Sequence, residues 1–403
     1  MFLFDWFCSK NEQNEKPTIT DMPYSVMSQI LDKVGFLGTL NLRKTCKTFR
    51  NFIDDVKPIN DLKQLRITLG HFYVQVEVFL DKNGYDTDKC SFVLSYQQAP
   101  DDNSWLIFKL VDDEVEFVKK MDEGEFIDAF FHDFESILKN QKSKLAYLKI
   151  KADSFVPFDF YREIKSEPQS MLSRCLCPRR KKSEETIIVT ANEANRGHKK
   201  SVSETINRLE TILKCRSVPL QTKRLLLMVF ESSQVIQILR YVKTEELGAL
   251  QPTREADLSE KKRNLRFDEI SKCETYENIR DIRVLDFVVT NPISDFLDKP
   301  VLIIRRIHVS EDDILNLKRA FLTSSHLKRW QLQYEDSEGD GSIHDILGRM
   351  PHEEQEKWFY GIPNSTEVLC IQSGYQTVLE RVTVSFTRIN LVDVPENAWV
   401  DWE

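Results

Sequence analysis

Apolar side chains recur at two different periods along this chain, and the change of period divides it into blocks. In residues 18–34, Val26, Ile30 and Val34 stand at i, i+4 and i+8 with Met27 and Leu31 beside them, which predicts one helix with a wide apolar face. Pro23 falls in its first turn, where a missing N–H costs nothing. Gly35 and Gly38 bracket Phe36-Leu37 and predict a stop. A second helix is predicted from Leu42, Cys46, Phe49 and Ile53 at i, i+4, i+7 and i+11, with Arg43, Lys47 and Arg50 on its other side and Pro58 at its end.

Residues 62–110 turn to period two: Phe72-Val74-Val76-Val78-Leu80, then Phe92-Leu94-Tyr96, then Leu106-Phe108-Leu110. Turn-rich stretches separate them, so an antiparallel meander is expected. From Glu125 the helical period returns (Phe126, Phe130, Phe134, Ile137, Leu138), followed by a short strand over 145–150. Residues 162–203 lose the periodicity and read as a basic, flexible linker or insertion. Beyond it helix and strand alternate. Ile206, Leu209, Ile212 and Leu213 form one helical face, and Val235, Ile238, Leu239 and Val242 another. A helix opening at Ser310 carries Glu311, Asp312 and Asp313 in its first turn.

Strands are expected to start near 225, 247, 282, 301 and 327. A helix and a short strand every 20–30 residues or so is the rhythm of a leucine-rich-repeat solenoid, although no repeat has the full L-x-x-L-x-L-x-x-N spacing. The expected fold class is therefore α/β. A small all-α block at 18–57 precedes antiparallel strands and a helix-strand unit at 60–161. The linker at 162–203, degenerate strand-helix repeats at 204–340 and a C-terminal extension with closing strands at 341–403 complete it. An ordinary α/β layer without regular stacking is the alternative.

Composition narrows the function. The chain has 403 residues, 41% of them hydrophobic and 30% charged, enough for a packed core. With 56 basic and 64 acidic residues the net charge is −8, so bulk attraction to nucleic acid is not expected. Between Tyr161 and Ser203, however, ten basic residues face five acidic ones. No apolar run is long enough to span a membrane, and the opening MFLFDWFCSK lacks the basic start of a secretory signal. Eight scattered cysteines without a C-x-x-C pair fit free thiols in a reducing compartment, the cytoplasm or the nucleus.

Candidate chemistry is thin. Asp336–Ile343 has the oxygens and glycine of an opening EF-hand loop, but position 12 is Leu347, so a solvated acidic turn is expected. Cys175 and Cys177 are one residue apart, not a usual zinc half-site, and no H-E-x-x-H, G-x-S-x-G, Walker or G-x-G-x-x-G motif occurs. No cofactor, metal or enzymatic activity is expected. Arg179-Arg180-Lys181-Lys182 reads as a solvated linker before a nuclear import signal, with Ser183 beside it as a candidate phosphosite.

The first block carries the sharpest signal. About forty residues with this much apolar surface need a partner surface, in the same chain or in another. The start Met22-Pro23, the amphipathic helix, and Leu42-Arg43-Lys44-Thr45-Cys46-Lys47-Thr48-Phe49-Arg50 strongly resemble an F-box, with Met22, Thr45 and Phe49 where Leu, Val and Trp are usual. Asn51–Asp55, the helix and strand over 134–150, and Leu317–His326 extend the likeness to the large nematode family with an F-box and an FTH domain. That resemblance implies a substrate receptor, docked on a Skp-type adaptor and through it on a cullin–RING ubiquitin ligase, with the C-terminal domain holding an unidentified target protein. It implies that Met22, Pro23, Val26, Ile30, Leu31, Val34, Leu40, Leu42, Cys46 and Phe49 supply the adaptor interface or the block's own small core. Neither nucleic acid nor membrane is an expected partner. A solenoid scaffold without a ubiquitin role is the competing reading. Outward strand residues such as Arg283, Arg305, Lys328 and Gln331 are candidates for a recognition face.

Overall fold

The computed structural model describes residues 22–56, 62–80, 91–98, 104–111, 114–122, 124–139, 141–153, 184–252, 264–335, 343–348, 356–376, 381–396 and 398–402. Two compact units emerge, Met1–Leu62 with Phe134–Ser143, and Lys63–Asp133 with Lys144–Glu403.

The smaller unit holds α1 (Tyr24–Thr45) and α2 (Lys47–Val56). The expected stop between Val34 and Leu42 is only a one-residue break. Gly35 takes φ 71°, and the helix resumes at once on a new axis. Leu42 therefore rides on the far part of α1, and Cys46, in extended conformation, is the joint before α2. The four residues expected on one helical face are divided between two helices. The second half of α3 (Phe126–Lys139) also belongs here. Just past it the Gln141 amide accepts from the Leu62 N–H at 3.1 Å and donates to the Leu62 carbonyl at 3.2 Å, as a strand neighbour would.

The larger unit is mixed α/β, built on a sheet of sixteen strands among the described residues. Strands β1 (Gln64–Leu69), β2 (Tyr73–Phe79), β3 (Phe92–Gln98), β4 (Trp105–Val111) and β5 (Glu114–Met121) pair in sequence as an antiparallel meander. After α3 the chain returns as β6 (Leu145–Ala152), parallel to β1. There follow α4 (Glu184–Lys214), β7 (Leu220–Met228), α5 (Ser232–Leu239), β8 (Val242–Leu250), the short β9 (Asn264–Leu265) and α6 (Phe267–Ile270). Then come β10 (Asp281–Val289), β11 (Val301–Arg305), α7 (Glu311–Thr323) and β12 (Arg329–Glu335). From β6 to β12, leaving aside β9, each strand lies parallel beside its predecessor. After α8 (Ile343–Leu347), β13 (Lys357–Gly361), β14 (Glu367–Gln376) and β15 (Arg381–Asn390) fold back antiparallel onto β12, and β16 (Val400–Asp401) pairs with β13.

The parallel strands share one phase. Each has an inward residue, two outward ones, then inward residues alternating with outward: Leu145-x-x-Leu148-x-Ile150, Thr222-x-x-Leu225-x-Leu227, Thr244-x-x-Leu247-x-Ala249, Ile279-x-x-Ile282-x-Val284, Lys299-x-x-Leu302-x-Ile304 and Leu327-x-x-Trp330-x-Leu332. Every named residue is at most 2% exposed. The fourth positions are Cα partners from Leu148 through Leu225, Leu247, Ile282 and Leu302 to Trp330, so side chains stack in columns along the sheet. At about 1.5–3 kcal/mol for each fully buried large side chain, this column is a principal source of cohesion. It faces the helices: Phe321 of α7 meets Trp330 edge-on with ring centroids 6.2 Å apart.

Three polar residues stand in the first position without breaking the pattern. Thr222 Oγ1 donates to the Arg224 carbonyl at 2.9 Å, and Thr244 Oγ1 lies within bonding distance of the Lys223 and Glu246 carbonyls. Lys299 is buried but pairs with Asp298 at 2.8 Å and stands 4.1 Å over the Tyr276 ring. Helix ends are closed locally. Ser310 and Asp313 form a reciprocal capping box on α7, with both bonds at 3.1 Å.

Other expectations shift. Val242 opens β8 instead of closing a helical face, because α5 ends at Leu239. The last part of the expected linker, 184–203, lies in α4. Cys175, Cys177, the 179–182 basic cluster, Ser183 and the acidic loop 336–342 lie outside the described residues. At the sheet's end, the Trp402 indole lies across the strand at Gly361, where an added Cβ would come within 2.0 Å of the ring.

Candidate protein-docking surfaces

Two surfaces, one in each unit, carry the arrangement that matters. In the smaller unit, Met27 and Leu31 point from α1 toward Phe49 and Ile53 of α2 and form a core no more than 5% exposed. Met22, Leu42, Phe52 and Val56 close its rim. Tyr24 meets Phe52 edge-on at 5.2 Å, and Arg43 forms a two-pronged ion pair with Asp54 at 3.0 and 3.2 Å. Of the ten residues singled out from sequence, Leu31 and Phe49 thus belong to the block's own core, while Met22 and Leu42 sit on its rim. The Leu40 side chain lies outside what is described.

The remaining residues lie outside that core. Pro23 is exposed, Val26 and Ile30 are half-buried, and Val34 is 40% exposed. Their spacing of three, four and four residues sets them on one side of α1, a greasy stripe about 16 Å long. Gly35 ends it, with its carbonyl accepting from Thr39 Oγ1 at 2.8 Å. Gly38 follows, where an added Cβ would lie 1.9 Å from Val34 Cγ1. Cys46 is exposed too, and its sulfur accepts from the Phe49 N–H at 3.5 Å, capping α2. That amide holds the Cys46 thiol below its ordinary pKa. No sequence signal marked this cap, since cysteine is not a preferred N-cap residue.

In the larger unit, the sheet face opposite the helices presents the outward positions of β1, β6–β8 and β10–β12. Arg66, Lys149 and Arg283 align across the strands at the same level, with Leu226, Gly248, Ile303 and Gln331 between and beyond them. One step on stand Lys151 and Arg305, and one step back Arg224 and Arg329. Lys63, Lys223, Arg280 and Lys328 border the face where the strands begin. The acids among these outward positions are Glu245, Glu246, Asp281 and, at the far end of β12, Glu335.

Several of these cations are poorly compensated. Burial, then Lys151 and Arg66, pulls the Lys149 pKa down. Burial and Arg305 do the same to Arg381, the β15 residue paired with Glu335 of β12. Arg224 reaches Glu246 at 2.7 Å, Arg283 reaches Asp281 at 2.7 Å, and Arg305 reaches Glu335 at 3.2 Å. Among the described residues, the buried Nε atoms of Arg66, Arg305 and Arg381 have no hydrogen-bond partner. Of the recognition-face candidates, Arg283 and Lys328 are exposed, Gln331 is half-buried, and the Arg305 side chain keeps 11% exposure.

Elsewhere in this unit, a cleft of about 770 Å³ is lined by His71, Trp105, Glu125, Glu204 and Arg208 among others. Arg208 is held there by Asp128 at 2.7 Å and lies over the Phe131 ring. Among the described residues no cluster of His, Cys, Asp and Glu has metal-binding geometry, and no helix is long and apolar enough to cross a membrane.

Comparison with known families places the α1 stripe in one recognised domain and the β7–β12 part of the strand face in another, while β1 and β6 lie outside both. An F-box domain model matches residues 19–61, which contain α1 and α2, and an FTH domain model matches 203–343, from within α4 to the start of α8. Neither a curated protein nor a solved structure matches the chain. The chain carries an F-box domain followed by a C-terminal FTH domain.

Proposed function

We propose that this chain, with its F-box and FTH domains, is the substrate receptor of a Skp-cullin-F-box type E3 ubiquitin ligase. An F-box domain marks a substrate-receptor adaptor of such ligases, and the pairing with an FTH domain is that of a non-catalytic adaptor. The finer reading is that the α1 stripe docks on a Skp-type adaptor and the strand face of the FTH domain holds the target. The mechanism is proximity: the receptor raises the target's effective concentration at an active site belonging to another subunit.

One observation carries this reading: the F-box hides Met27, Leu31, Phe49 and Ile53 within itself yet leaves Pro23 and Val34 exposed, and Val26 and Ile30 only half-buried, along one side of α1 and its cap. Charging the stripe should therefore spare the fold and cost the partner. In a pull-down with a purified Skp-type adaptor, Ile30→Glu is expected to lower capture by at least about tenfold with an unchanged melting curve. Full capture by that variant, or none by the parent chain, would sink the proposal.

The division into blocks at 18–57, 60–161, 162–203, 204–340 and 341–403 remains part of this proposal, amended by the start of α4. The degenerate leucine-rich-repeat-like solenoid is supported by the shared buried phase of the parallel strands. That same phase favours a second reading, a binding scaffold without a ligase role. Target abundance separates the two, because a scaffold's partner is unchanged when the receptor is depleted, whereas a ligase target accumulates.

A further inference from the structure

We infer that the open face of the parallel strands is a docking surface for an acidic protein segment, rich in Asp and Glu. The inference deepens the receptor reading, on which it rests for the claim that this segment belongs to the target. Three observations carry it.

First, the face is basic in a chain that is not. Lys and Arg outnumber Asp and Glu by eleven to four at the outward positions, against a net charge of −8 for the whole chain. The basic residues recur across the face, from Arg66 on β1 through Lys149 and Arg283 to Arg329 on β12. Such a surface steers and retains a partner of opposite sign.

Second, compensation is incomplete: Arg66, Lys151, Lys223, Arg224, Arg283 and Arg305 each have a carboxylate partner, but part of the face does not. Lys149 makes no ion pair among the described residues and has Lys151 and Arg66 as like-charged neighbours. Arg381 is only 9% exposed, and its Nε, with those of Arg66 and Arg305, is buried without an acceptor among the described residues. Carboxylates are the acceptors that fit arginine's planar fork.

Third, the geometry favours peptide over nucleic acid. Tyr147 is the single aromatic residue among the outward positions, so bases would find no stacking platform. Glu245, Glu246 and Asp281 interrupt the middle of the face, which a continuous phosphodiester chain would meet as repulsion. Seven strands span about 29 Å, the reach of about nine extended residues.

The test uses the full chain without any adaptor. Fluorescence anisotropy is measured with a labelled 20-residue poly-Glu peptide, a poly-Gln peptide of equal length and a 20-nucleotide single-stranded RNA. Poly-Glu is expected to bind, at least about tenfold more tightly than poly-Gln, and to weaken as salt rises. The triple variant Lys223→Gln, Lys328→Gln, Arg329→Gln changes exposed side chains only and should weaken poly-Glu binding about tenfold with an unchanged melting curve. Glu245→Gln with Glu246→Gln should tighten it several-fold, a gain that loss of folding would not give. No poly-Glu binding, equal binding of poly-Gln, tighter binding of RNA, or indifference to both variants would overturn the inference. Retained peptide binding without adaptor capture would sink the ligase reading alone. Adaptor capture without peptide binding would sink only this inference.

Discussion

At the residue scale, conformation and solvation decide more than identity. Gly35 sits at φ 71°, where any Cβ raises the energy of the backbone, although open space surrounds it. Gly35→Ala should therefore destabilise the helical unit by roughly 1–2 kcal/mol, read as a lower denaturation midpoint. His71 is partly buried, and burial alone lowers its pKa. Its folded pKa thus lies below the ordinary value of about 6.5, so the unfolded chain binds its proton first. Stability from this residue is complete above about pH 6.5 and is lost as pH falls toward the folded value. Thermal melts between pH 7.5 and 5 should show the decline, and His71→Gln should flatten it. Sequence spacing could not apportion the F-box residues, because Ile30 and Leu31 both satisfy a helical period. Which of them meets Phe49 depends on where α2 crosses, and the Gly35 break sets that.

At the element scale, the meander and the helix-strand alternation were legible because periods of two and 3.6 cannot be confused over long runs. The common phase of the parallel strands was not. Its first position holds Thr222, Thr244 and Lys299 where the rhythm calls for a leucine, and each polar group is satisfied by a local partner that sequence does not reveal. Val242 was misread for a related reason, since it follows Leu239 at helical spacing although the helix has already ended. The column makes contrasting forecasts. Leu225→Ala should cost about 2–5 kcal/mol in equilibrium unfolding, the usual penalty for a buried leucine. Lys299→Met should cost less than about 1.5 kcal/mol or stabilise, because it removes a buried charge and leaves Asp298, which is largely exposed, in water. A loss as large as that of Leu225→Ala would mean the ion pair and the Tyr276 contact outweigh desolvation.

At the scale of the whole molecule, net charge conceals how charge is distributed. A value of −8 argues against attraction to acidic partners, yet the strand register gathers cations on one face of the larger unit. Sequence named Arg283, Arg305 and Lys328 as outward. Only the register showed Arg66 and Lys149 aligned with Arg283, because that alignment joins residues more than two hundred positions apart. The sheet also has two ends to protect. One is closed by β16, two residues long and secured by the Trp402 ring lying across Gly361. A methyl at that glycine would evict the indole and let β16 fray, uncovering the hydrogen-bonding edge of β13. Unpaired strand edges recruit one another. Gly361→Ala should thus turn a well-behaved chain into one that polymerises, visible as light scattering that climbs with protein concentration: one missing side chain serves as the molecule's safeguard against fibre growth.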